Sequence, residues 1–339
     1  MSLALSLDYE TRVPTLQRLL TVSEKTRWTS SEIDWERHLS DGDYGRILEW
    51  HGALRSRYVQ ALSHEKKEEL ARQFVAYDFS QTLHGEQCAM MVSAQLVSIL
   101  DDIDARIYAA NQARDEARHV ESVHKAVRRL GPIYPVWKPF DAFITDLVNC
   151  TSWPRKMLGL QLFLEARALL DFRQHLLFVQ DPVFCEAVHR IERDESQHVA
   201  FGVQYLARGV EAASEEEREE IIRYGIWLDE GIWNIERAEE YRQAFDACDL
   251  DFSEFRASLP RPSRLHPTRA ISRDSAQRIE TLHLQFRRWF YAALSRSGLT
   301  AVIERRLGRP LTDEERQDAR KLNAAVLPWV KNDDPPAEP

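Results

Sequence analysis

The chain has 339 residues, of which only 12 are glycine and 14 are proline, and its net charge is −9. No proline lies between Pro14 and Pro132 or between Pro182 and Pro260, which argues against the turn-rich strands of an all-β sandwich or barrel. The negative charge argues against sequence-independent binding to nucleic acid or to an anionic membrane. These features predict an all-α protein of long helices with no nucleic-acid and no membrane partner.

The cysteines and the N-terminus bear on the location of the protein. Four cysteines without a Cys-x-x-Cys spacing are typical of a reduced cytoplasmic protein rather than of a disulfide scaffold or a zinc ribbon. The N-terminal residues lack a basic start followed by an apolar run, so we expect no signal peptide. No apolar stretch reaches the ~20 residues of a membrane-spanning helix. The sequence therefore predicts a cytoplasmic location.

Start and stop signals divide the chain into helices. Ser63 is a predicted N-cap, a capping box begins at Thr29, and Gly131 ends a helix ahead of a proline. Pro154 and Pro182 are predicted to lie in first helical turns, where a proline is tolerated. In chain order, the predicted helices cover 8–21, 43–62, 64–99, 102–130, 139–150, 154–179, 182–211, 215–247, 274–296 and 312–326.

Changes in composition along the chain predict four parts. An N-terminal helical extension covers 1–62, and a four-helix bundle covers 63–248. A proline-containing loop over 250–272 opens a C-terminal helical extension, which covers 249–330. The tail over 331–339 is rich in proline and acidic residues and is predicted to be disordered.

The motif that carries chemical information is Glu-x-x-His, because a helix places both side chains on one face, where they can bind one metal ion. The chain has five copies, which begin at Glu116, Glu121, Glu186, Glu195 and Glu280. Only two copies have an aspartate before the glutamate, namely Asp115-Glu116-Ala117-Arg118-His119 and Asp194-Glu195-Ser196-Gln197-His198. We interpret these two as functional and the others as ordinary surface residues.

A second regularity links the two functional copies. Glu86 lies 30 residues before Glu116, and Glu165 lies 30 residues before Glu195. A single offset of 79 residues therefore maps the first set of residues onto the second. Each set predicts one helical hairpin, in which a helix with a single glutamate is followed by a helix with Glu-x-x-His.

Two such hairpins predict a ferritin-like four-helix bundle with additional N- and C-terminal helices, in which four carboxylates and two imidazoles point inward at one level. Four carboxylates neutralise two divalent cations, which allows so many acids to be buried. Oxygen donors with one imidazole per metal favour two Fe ions, with Mn as the alternative, over zinc or copper. The predicted metal ligands, which are also the predicted catalytic residues, are Glu86, Glu116, His119, Glu165, Glu195 and His198.

The two aspartates of the motifs are predicted to support the histidines. A metal-bound histidine usually donates its second ring N–H to a carboxylate. We therefore expect Asp115 to contact His198 and Asp194 to contact His119. The alternative is that both aspartates face solvent in the middle of their helices.

Helical geometry sets other candidates aside. Glu121 and His124 each lie five residues past a predicted ligand, which turns them by about 140° away from the metal face. His84 is predicted to point away from that face, and His175 is placed at the bundle end or on the surface. Glu192 is left open as an extra ligand, a proton carrier or a partly solvated acid.

The block that begins at Gly85-Glu86 and contains both Asp-Glu-x-x-His motifs resembles the ferritin-like di-iron oxygenases. It is most similar to the hydroxylase subunits of bacterial multicomponent monooxygenases, in which a Gly-Glu pair precedes an Asp-Glu-x-Arg-His motif. It is more distantly similar to the small subunit of ribonucleotide reductase and to arylamine N-oxygenases. The resemblance covers about residues 70–210 and implies the six residues above as iron ligands.

The chain departs from each of these groups at one position. The reductase subunit resembled here has its radical tyrosine four residues after the first ligand histidine, where this chain has Val123. The multicomponent hydroxylases have a threonine at the position of Leu169. The arylamine N-oxygenases have an additional histidine ligand at the position of Ile191. The resemblance therefore favours a stand-alone oxygenase with a substrate of its own.

The resemblance implies a non-haem di-iron oxygenase that activates O2 at a carboxylate-bridged two-iron site. Such an enzyme would hydroxylate or N-oxygenate a small organic substrate, with O2 as co-substrate and a reductase or ferredoxin as electron donor; a homodimer is left open. The alternative is a non-catalytic or partner-serving di-metal protein, such as a ferroxidase or a radical-generating subunit.

Helical spacing also predicts an apolar pocket for the substrate beside the metals. Small residues would leave the space, and a few polar side chains would anchor the occupant. The alternative for most of these positions is ordinary bundle core. The small residues are Ala89, Ser93, Ala168 and Gly202, and the polar anchors are Thr82, Gln112 and Gln161.

Overall fold

A computed structural model describes residues 8–37, 44–233, 241–259, 273–317 and 321. Every regular element within these residues is helical. Short 3-10 helices cover Ser30–Glu32 and Ala53–Arg55, and one π-helix covers Leu158–Glu165. The α-helices are α1 (Pro14–Lys25), α2 (Ile47–Trp50), α3 (Arg57–Ala61), α4 (His64–Ile99), α5 (Ile103–Leu130), α6 (Lys138–Asn149), α7 (Trp153–Met157), α8 (Ala166–Phe178), α9 (Pro182–Ala212), α10 (Glu215–Trp233), α11 (Arg242–Asp246), α12 (Phe252–Ser258), α13 (Arg273–Arg296), α14 (Thr300–Leu307) and α15 (Asp313–Gln317).

Four long rods form the bundle, and their ends follow the predicted signals. The rods are α4, α5, α9 and a continuous rod made of α7, the π-helix and α8. The Ser63 hydroxyl accepts the N–H of Lys66 at 3.2 Å at the start of α4, and the Asp181 carboxylate accepts the N–H of Val183 at 2.8 Å at the start of α9. The predicted all-α, ferritin-like fold is confirmed.

Outside the bundle, several predicted elements differ from the structure. The single helix predicted over 43–62 is wrong, because Gly52 has a φ of +68° and interrupts the chain between α2 and a 3-10 helix. The first helix starts at Pro14 rather than at residue 8. The loop predicted over 250–272 contains α12, which begins where Asp251 accepts the N–H of Ser253 at 2.7 Å.

Three further predictions reach beyond the described residues. The helix predicted over 215–247 corresponds to α10 and to a separate α11, and 234–240 lie outside the described part. The helix predicted over 312–326 corresponds to α15, beyond which only residue 321 is described. The tail over 331–339 also lies outside the described residues.

The interior consists of two hydrophobic clusters with a polar layer between them. Along α4, α5 and α9, the predicted metal ligands separate residues of one cluster from residues of the other, whereas on the third rod the change of cluster follows Leu170. On α4, for example, Phe79 belongs to the cluster on one side of Glu86 and Ala89 to the cluster on the other. We call these the Phe79 cluster and the Ala89 cluster. The polar layer is therefore closed at both ends by apolar packing.

The segments before and after the bundle pack onto it. Helix α1 contacts α5 and α9, and α13 contacts α8 and α9. Trp28 from the N-terminal segment and Phe252 from the C-terminal segment both belong to the Phe79 cluster. The division at residues 62 and 248 stays a prediction. None of the described helices is long and apolar enough to cross a membrane.

The third rod is not a regular α-helix. Between Leu158 and Glu165 its backbone forms a π-helix, with i→i+5 hydrogen bonds in place of i→i+4. Glu165, one of the predicted ligands, is the last residue of this segment. Such segments are rare and are frequently found at functional sites.

Candidate metal centre

The structure brings the six predicted ligands together in the polar layer. Their donor atoms form two groups, and within each group all donor atoms lie within 4.8 Å of one another. Both groups contain Glu116 and Glu195, so these two carboxylates are shared. All six side chains are buried. The groups are Glu86, Glu116, His119 and Glu195, and Glu116, Glu165, Glu195 and His198.

The two shared carboxylates have the geometry of bridging groups. Glu116 places Oε2 3.2 Å from His119 Nδ1 and Oε1 3.1 Å from His198 Nδ1. Glu195 places Oε1 3.0 Å from His119 Nδ1 and Oε2 3.1 Å from His198 Nδ1. Each carboxylate thus presents one oxygen to each half of the centre. This arrangement suits two cations that would both bind the carboxylates of Glu116 and Glu195.

The electrostatics of the layer also fit two cations. Burial, followed by the charge of Glu195, raises the pKa of Glu86 to about 8 and raises the pKa of Glu165 well above its usual value. Burial also disfavours ionisation of Glu116, but His198 and His119 hold the pKa of that carboxyl far below its usual range. Four buried carboxylates therefore lack enough positive charge within the protein. Two divalent ions would supply it.

One unpaired atom supports the same fit. Glu165 Oε2 is buried and has no hydrogen-bond partner within the described part of the chain. A buried carboxylate oxygen without a partner is costly unless a cation takes that place. The donor set, with four carboxylates, two imidazoles and no thiolate, suits iron or manganese.

Behind each histidine lies an aspartate from the opposite hairpin. Asp194 Oδ2 lies 3.2 Å from His119 Nε2, and Asp115 Oδ2 lies 3.5 Å from His198 Nε2. The Nδ1 atom of each ring therefore faces the ligand group, and Nε2 faces the aspartate. Both aspartates are buried rather than exposed to solvent.

Arg118 joins the two aspartates. Its guanidinium donates to Asp115 Oδ1 at 2.8 Å and to Asp194 Oδ2 at 2.7 Å, and its side chain is 8% exposed. The equivalent residue in the second half is Gln197, so a single cation serves both sides. Arg118 lies within the Asp-Glu-x-x-His motif, but the spacing of the motif alone predicts no role for it.

Residues from the N-terminal segment, which the sequence motifs do not predict, complete this outer layer. The indole N–H of Trp28 donates to Asp194 Oδ2 at 2.7 Å, and its ring stacks on His119 with centroids 6.3 Å apart. Ser23 Oγ lies 3.4 Å from Asp115 Oδ2. No spacing connects residue 23 or 28 with the motifs, so only the folded chain shows these contacts.

The Glu-x-x-His copies that were set aside do not contribute to the centre. Glu121 pairs with Lys125 at 2.7 Å, and His124 is exposed. Glu192 accepts from Arg173 Nε at 2.6 Å and lies outside both ligand groups, which does not support the extra-ligand alternative.

His175 is not on the surface. Its ring is buried, with Nδ1 2.7 Å from the carbonyl oxygen of Asp171 and Nε2 3.2 Å from Asp78 Oδ2. His51 Nε2 lies 2.8 Å from the same carboxylate oxygen. Burial alone would raise the pKa of Asp78, but the two histidines hold it far below its usual range. This ion-pair network lies beside the Phe79 cluster.

The structure shows a cavity on the outer side of this layer. It has a volume of about 250 Å³ and is lined by residues that include Trp28, Arg114 and Arg118. Beside the ligand groups, a Cβ at Gly202 would lie 2.4 Å from Gln161 Cβ, so Gln161 occupies the space next to this glycine. The apolar substrate pocket stays a prediction.

Comparison with known proteins adds the family. A family model described as "P-aminobenzoate N-oxygenase AurF" matches residues 9–225, which include all six predicted ligands. The chain belongs to this family. The predicted di-iron superfamily is thereby confirmed. Within this superfamily, the AurF family represents the arylamine N-oxygenases. The motifs alone had indicated a closer similarity to the hydroxylase subunits than to these N-oxygenases.

Solved structures with a similar fold have low sequence identity. A mutant of R2-like ligand-binding oxidase with an Mn/Fe cofactor is 17% identical, with 79% of this chain and 96% of that chain covered and a TM-score of 0.46. The dimanganese NrdF of Streptococcus sanguinis is 12% identical, with 95% and 99% covered and a TM-score of 0.49. No curated protein matches the chain.

Membership in the AurF family supports an oxygenase type of function at an iron or manganese centre. The chain nevertheless differs at one position from the arylamine N-oxygenases that it resembles. Ile191 occupies the position of their additional histidine ligand, and its side chain is buried in the Phe79 cluster. The protein thus offers six donors at the centre.

Metal uptake by this centre is expected to release protons. Burial would lower the pKa of His119 and His198, but the surrounding carboxylates raise both pKa values well above the usual value. At neutral pH the metal-free histidines are therefore charged, and Glu86, with a pKa of about 8, is protonated. Because ions bind only the deprotonated ligands, Mn(II) affinity should rise as the pH increases from neutral toward about 8, the pKa of Glu86.

Calorimetric titration in two buffers of different protonation enthalpy measures this release, with about two to four protons expected per chain. The exposed Glu-x-x-His variant His124→Ala is the control and should release the same number. An affinity that does not change with pH would contradict the expected competition.

Proposed function

We propose that this protein is a non-haem di-iron oxygenase that oxidises a small organic substrate, with N-oxygenation of an arylamine as the first candidate reaction. The observation that carries the proposal is the pair of ligand groups sharing Glu116 and Glu195 in a chain of the AurF family. The six residues named above are proposed as the ligands, with Asp115 and Asp194 behind the histidines.

The residues of the chain have distinct roles in this proposal. When bound, two iron ions would give electrons to O2 and so activate it to oxidise the substrate. No side chain of the protein can provide this chemistry. Glu116 and Glu195 hold the two positions together. Asp194 and Asp115 orient the imidazoles of His119 and His198 through their Nε2 atoms.

The surroundings of the centre exclude water. Apolar side chains of the Phe79 and Ala89 clusters close the layer at both ends, and the six ligands are at most 5% exposed. A dry site strengthens the electrostatic interactions of the carboxylates and limits side reactions with solvent. Electrons must therefore reach a buried centre, and we propose that a reductase or a ferredoxin donates them.

Product analysis tests the proposal. The protein is loaded with Fe(II) without oxygen, reduced, and then exposed to ¹⁸O₂ in the presence of 4-aminobenzoate. We expect an N-oxygenated product that carries ¹⁸O, detected by mass spectrometry. The variant His198→Ala should give none, whereas His124→Ala should behave like the wild type. Iron oxidation without any oxidised organic product would reject the oxygenase.

Hydroxylation of a carbon atom is the second candidate reaction. Six donors without the additional histidine correspond to the multicomponent hydroxylases more closely than to the arylamine N-oxygenases, and Ile191 is the observation that favours this candidate. The same experiment with aniline distinguishes the two, because aminophenol carries the label on carbon and phenylhydroxylamine carries it on nitrogen.

A partner-serving radical protein is less well supported. The position that bears the radical tyrosine in the resembled reductase subunit is Val123, whose side chain is buried in the Phe79 cluster. A stable tyrosyl radical seen by electron paramagnetic resonance after exposure to O2, without oxidised substrate, would favour this alternative.

We also propose that the protein forms the homodimer that the sequence left open. Light scattering of the purified protein tests this.

A further inference from the structure

The two halves of the metal centre have equivalent donors but different neighbours. Gln112 lies four residues before Glu116, and Gln161 lies four residues before Glu165. The offset of 79 residues places Ile191 at the position equivalent to Gln112, and Thr82 at the position equivalent to Gln161. Both glutamines are fully buried. One side of the centre therefore carries two amides that the other side lacks.

The carboxylates determine how the first amide is oriented. Gln112 Nε2 donates to Glu116 Oε1 at 3.1 Å and to Glu165 Oε1 at 2.5 Å. With the two proposed cations bound, both carboxylates are ionised and only accept hydrogen bonds, so the NH₂ group of Gln112 must face these oxygens. Its carbonyl oxygen consequently points away from the metal ligands. The chemistry of the neighbours therefore settles the choice between oxygen and nitrogen.

The orientation of the first amide fixes that of the second. Gln112 Oε1 accepts a hydrogen bond from Gln161 Nε2 at 3.2 Å. The NH₂ group of Gln161 must face Gln112, because two carbonyl oxygens would repel each other. What remains at the end of the chain of hydrogen bonds is Gln161 Oε1, which can only accept.

This terminal oxygen has no partner. Gln161 Oε1 is buried and accepts no hydrogen bond from any residue that the structure describes. A buried acceptor left unpaired destabilises the folded protein. Carboxylates and imidazoles already supply the donors of both ligand groups, so we assign this oxygen to a hydrogen-bond donor rather than to a metal ion. The group that completes this site must be a hydrogen-bond donor.

We propose that Gln161 determines substrate specificity by accepting a hydrogen bond from an N–H group of an arylamine substrate. Gln112 is a positioning residue, which transmits the orientation of Glu116 and Glu165 to Gln161. This inference rests on the proposed function, since it assigns a substrate contact within the same site. Gly202 permits the arrangement, because any larger residue there would displace Gln161.

A binding experiment tests the inference without turnover. The protein is loaded with Mn(II), and its affinities for 4-aminobenzoate and for 4-fluorobenzoate are measured by equilibrium dialysis. The two probes share a ring and a carboxylate, but only the amine can donate a hydrogen bond. The wild type should prefer 4-aminobenzoate by about tenfold, which corresponds to one hydrogen bond.

The variant Gln161→Met keeps the length of the side chain and removes the acceptor. The ratio of its affinities for 4-aminobenzoate and 4-fluorobenzoate should fall to about one, while metal analysis should still find two ions per chain. The matched control is Gln60→Met, the same substitution at an exposed glutamine of α3, and it should keep the wild-type preference.

Each outcome decides the inference. A Gln161→Met protein that keeps the preference overturns it, and so does one that loses its metals, since Gln161 would then be structural. If that variant does not fold, the wild type alone provides the test, because equal binding of the two probes overturns the inference. Wild-type protein that binds fewer than two metals instead rejects the proposed function, which separates the two failures.

Discussion

Replacing a shared carboxylate should remove both metal ions, whereas replacing an unshared one should remove mainly one. In Glu195→Ala, both ligand groups lose an oxygen donor, because Glu195 belongs to both. In Glu86→Ala, only the group that contains His119 loses a donor. Loss of a partner behind a ligand already costs about 10- to 100-fold in metal affinity, so loss of a bridging ligand should cost more than 100-fold at both positions.

Metal content measured by mass spectrometry after dialysis distinguishes these variants. We expect about two ions per chain in the wild type, about one in Glu86→Ala and close to none in Glu195→Ala. The control is Glu121→Ala, which changes an exposed Glu-x-x-His motif of α5 and should keep two ions. Circular dichroism establishes that each variant folds. Two ions retained in folded Glu195→Ala would refute the bridging assignment.

Replacing Arg118 by alanine should lower the free energy of unfolding more than the other arginine substitutions considered below. The guanidinium is buried and bonds two carboxylates, Asp115 and Asp194. Removal of one partner of a buried ion pair costs about 3–5 kcal/mol, because the remaining charge is left without compensation. Here two carboxylates lose the same partner. Because Asp194 keeps its contact with His119 and Asp115 keeps its contact with His198, the free energy of unfolding of the metal-free protein should fall by about 3 kcal/mol, the lower end of this range.

Urea unfolding followed by circular dichroism measures this loss. Arg118→Lys should lose less than Arg118→Ala, since it keeps the charge but not the planar fork of donors. Arg114→Ala on the same helix removes an exposed arginine and should change the free energy of unfolding by about 0.5 kcal/mol or less. If Arg118→Ala lowered the free energy of unfolding by no more than Arg114→Ala does, water would be shown to replace the guanidinium.

The positions of the six clustered side chains could be predicted because they repeat within the sequence. Four long helices impose a regular spacing, and the offset of 79 residues carries that regularity from Glu86 and His119 to Glu165 and His198. Burial of four acids then required a common counter-charge. The assignment of these residues as ligands awaits the metal analysis above.

The contacts around the centre could not be predicted in the same way. Trp28 reaches Asp194 from a segment that has no repeat and no periodic relation to the motifs. The break at Gly52 depends on a left-handed backbone conformation, which helical periodicity does not show. The unpaired oxygen of Gln161 follows from a chain of hydrogen bonds across two rods, although both glutamines had been placed near the metals.

The π-helix limits how far the two halves can be exchanged. A π-turn takes more residues than an α-turn, so deleting one residue between Leu158 and Glu165 would favour a regular α-helix. The residues before the deletion would then rotate by about 100° relative to Glu165. Glu86 instead lies on an uninterrupted α-helix. A protein engineered by duplicating residues 64–130 would therefore repeat the donors without the backbone that presents Glu165.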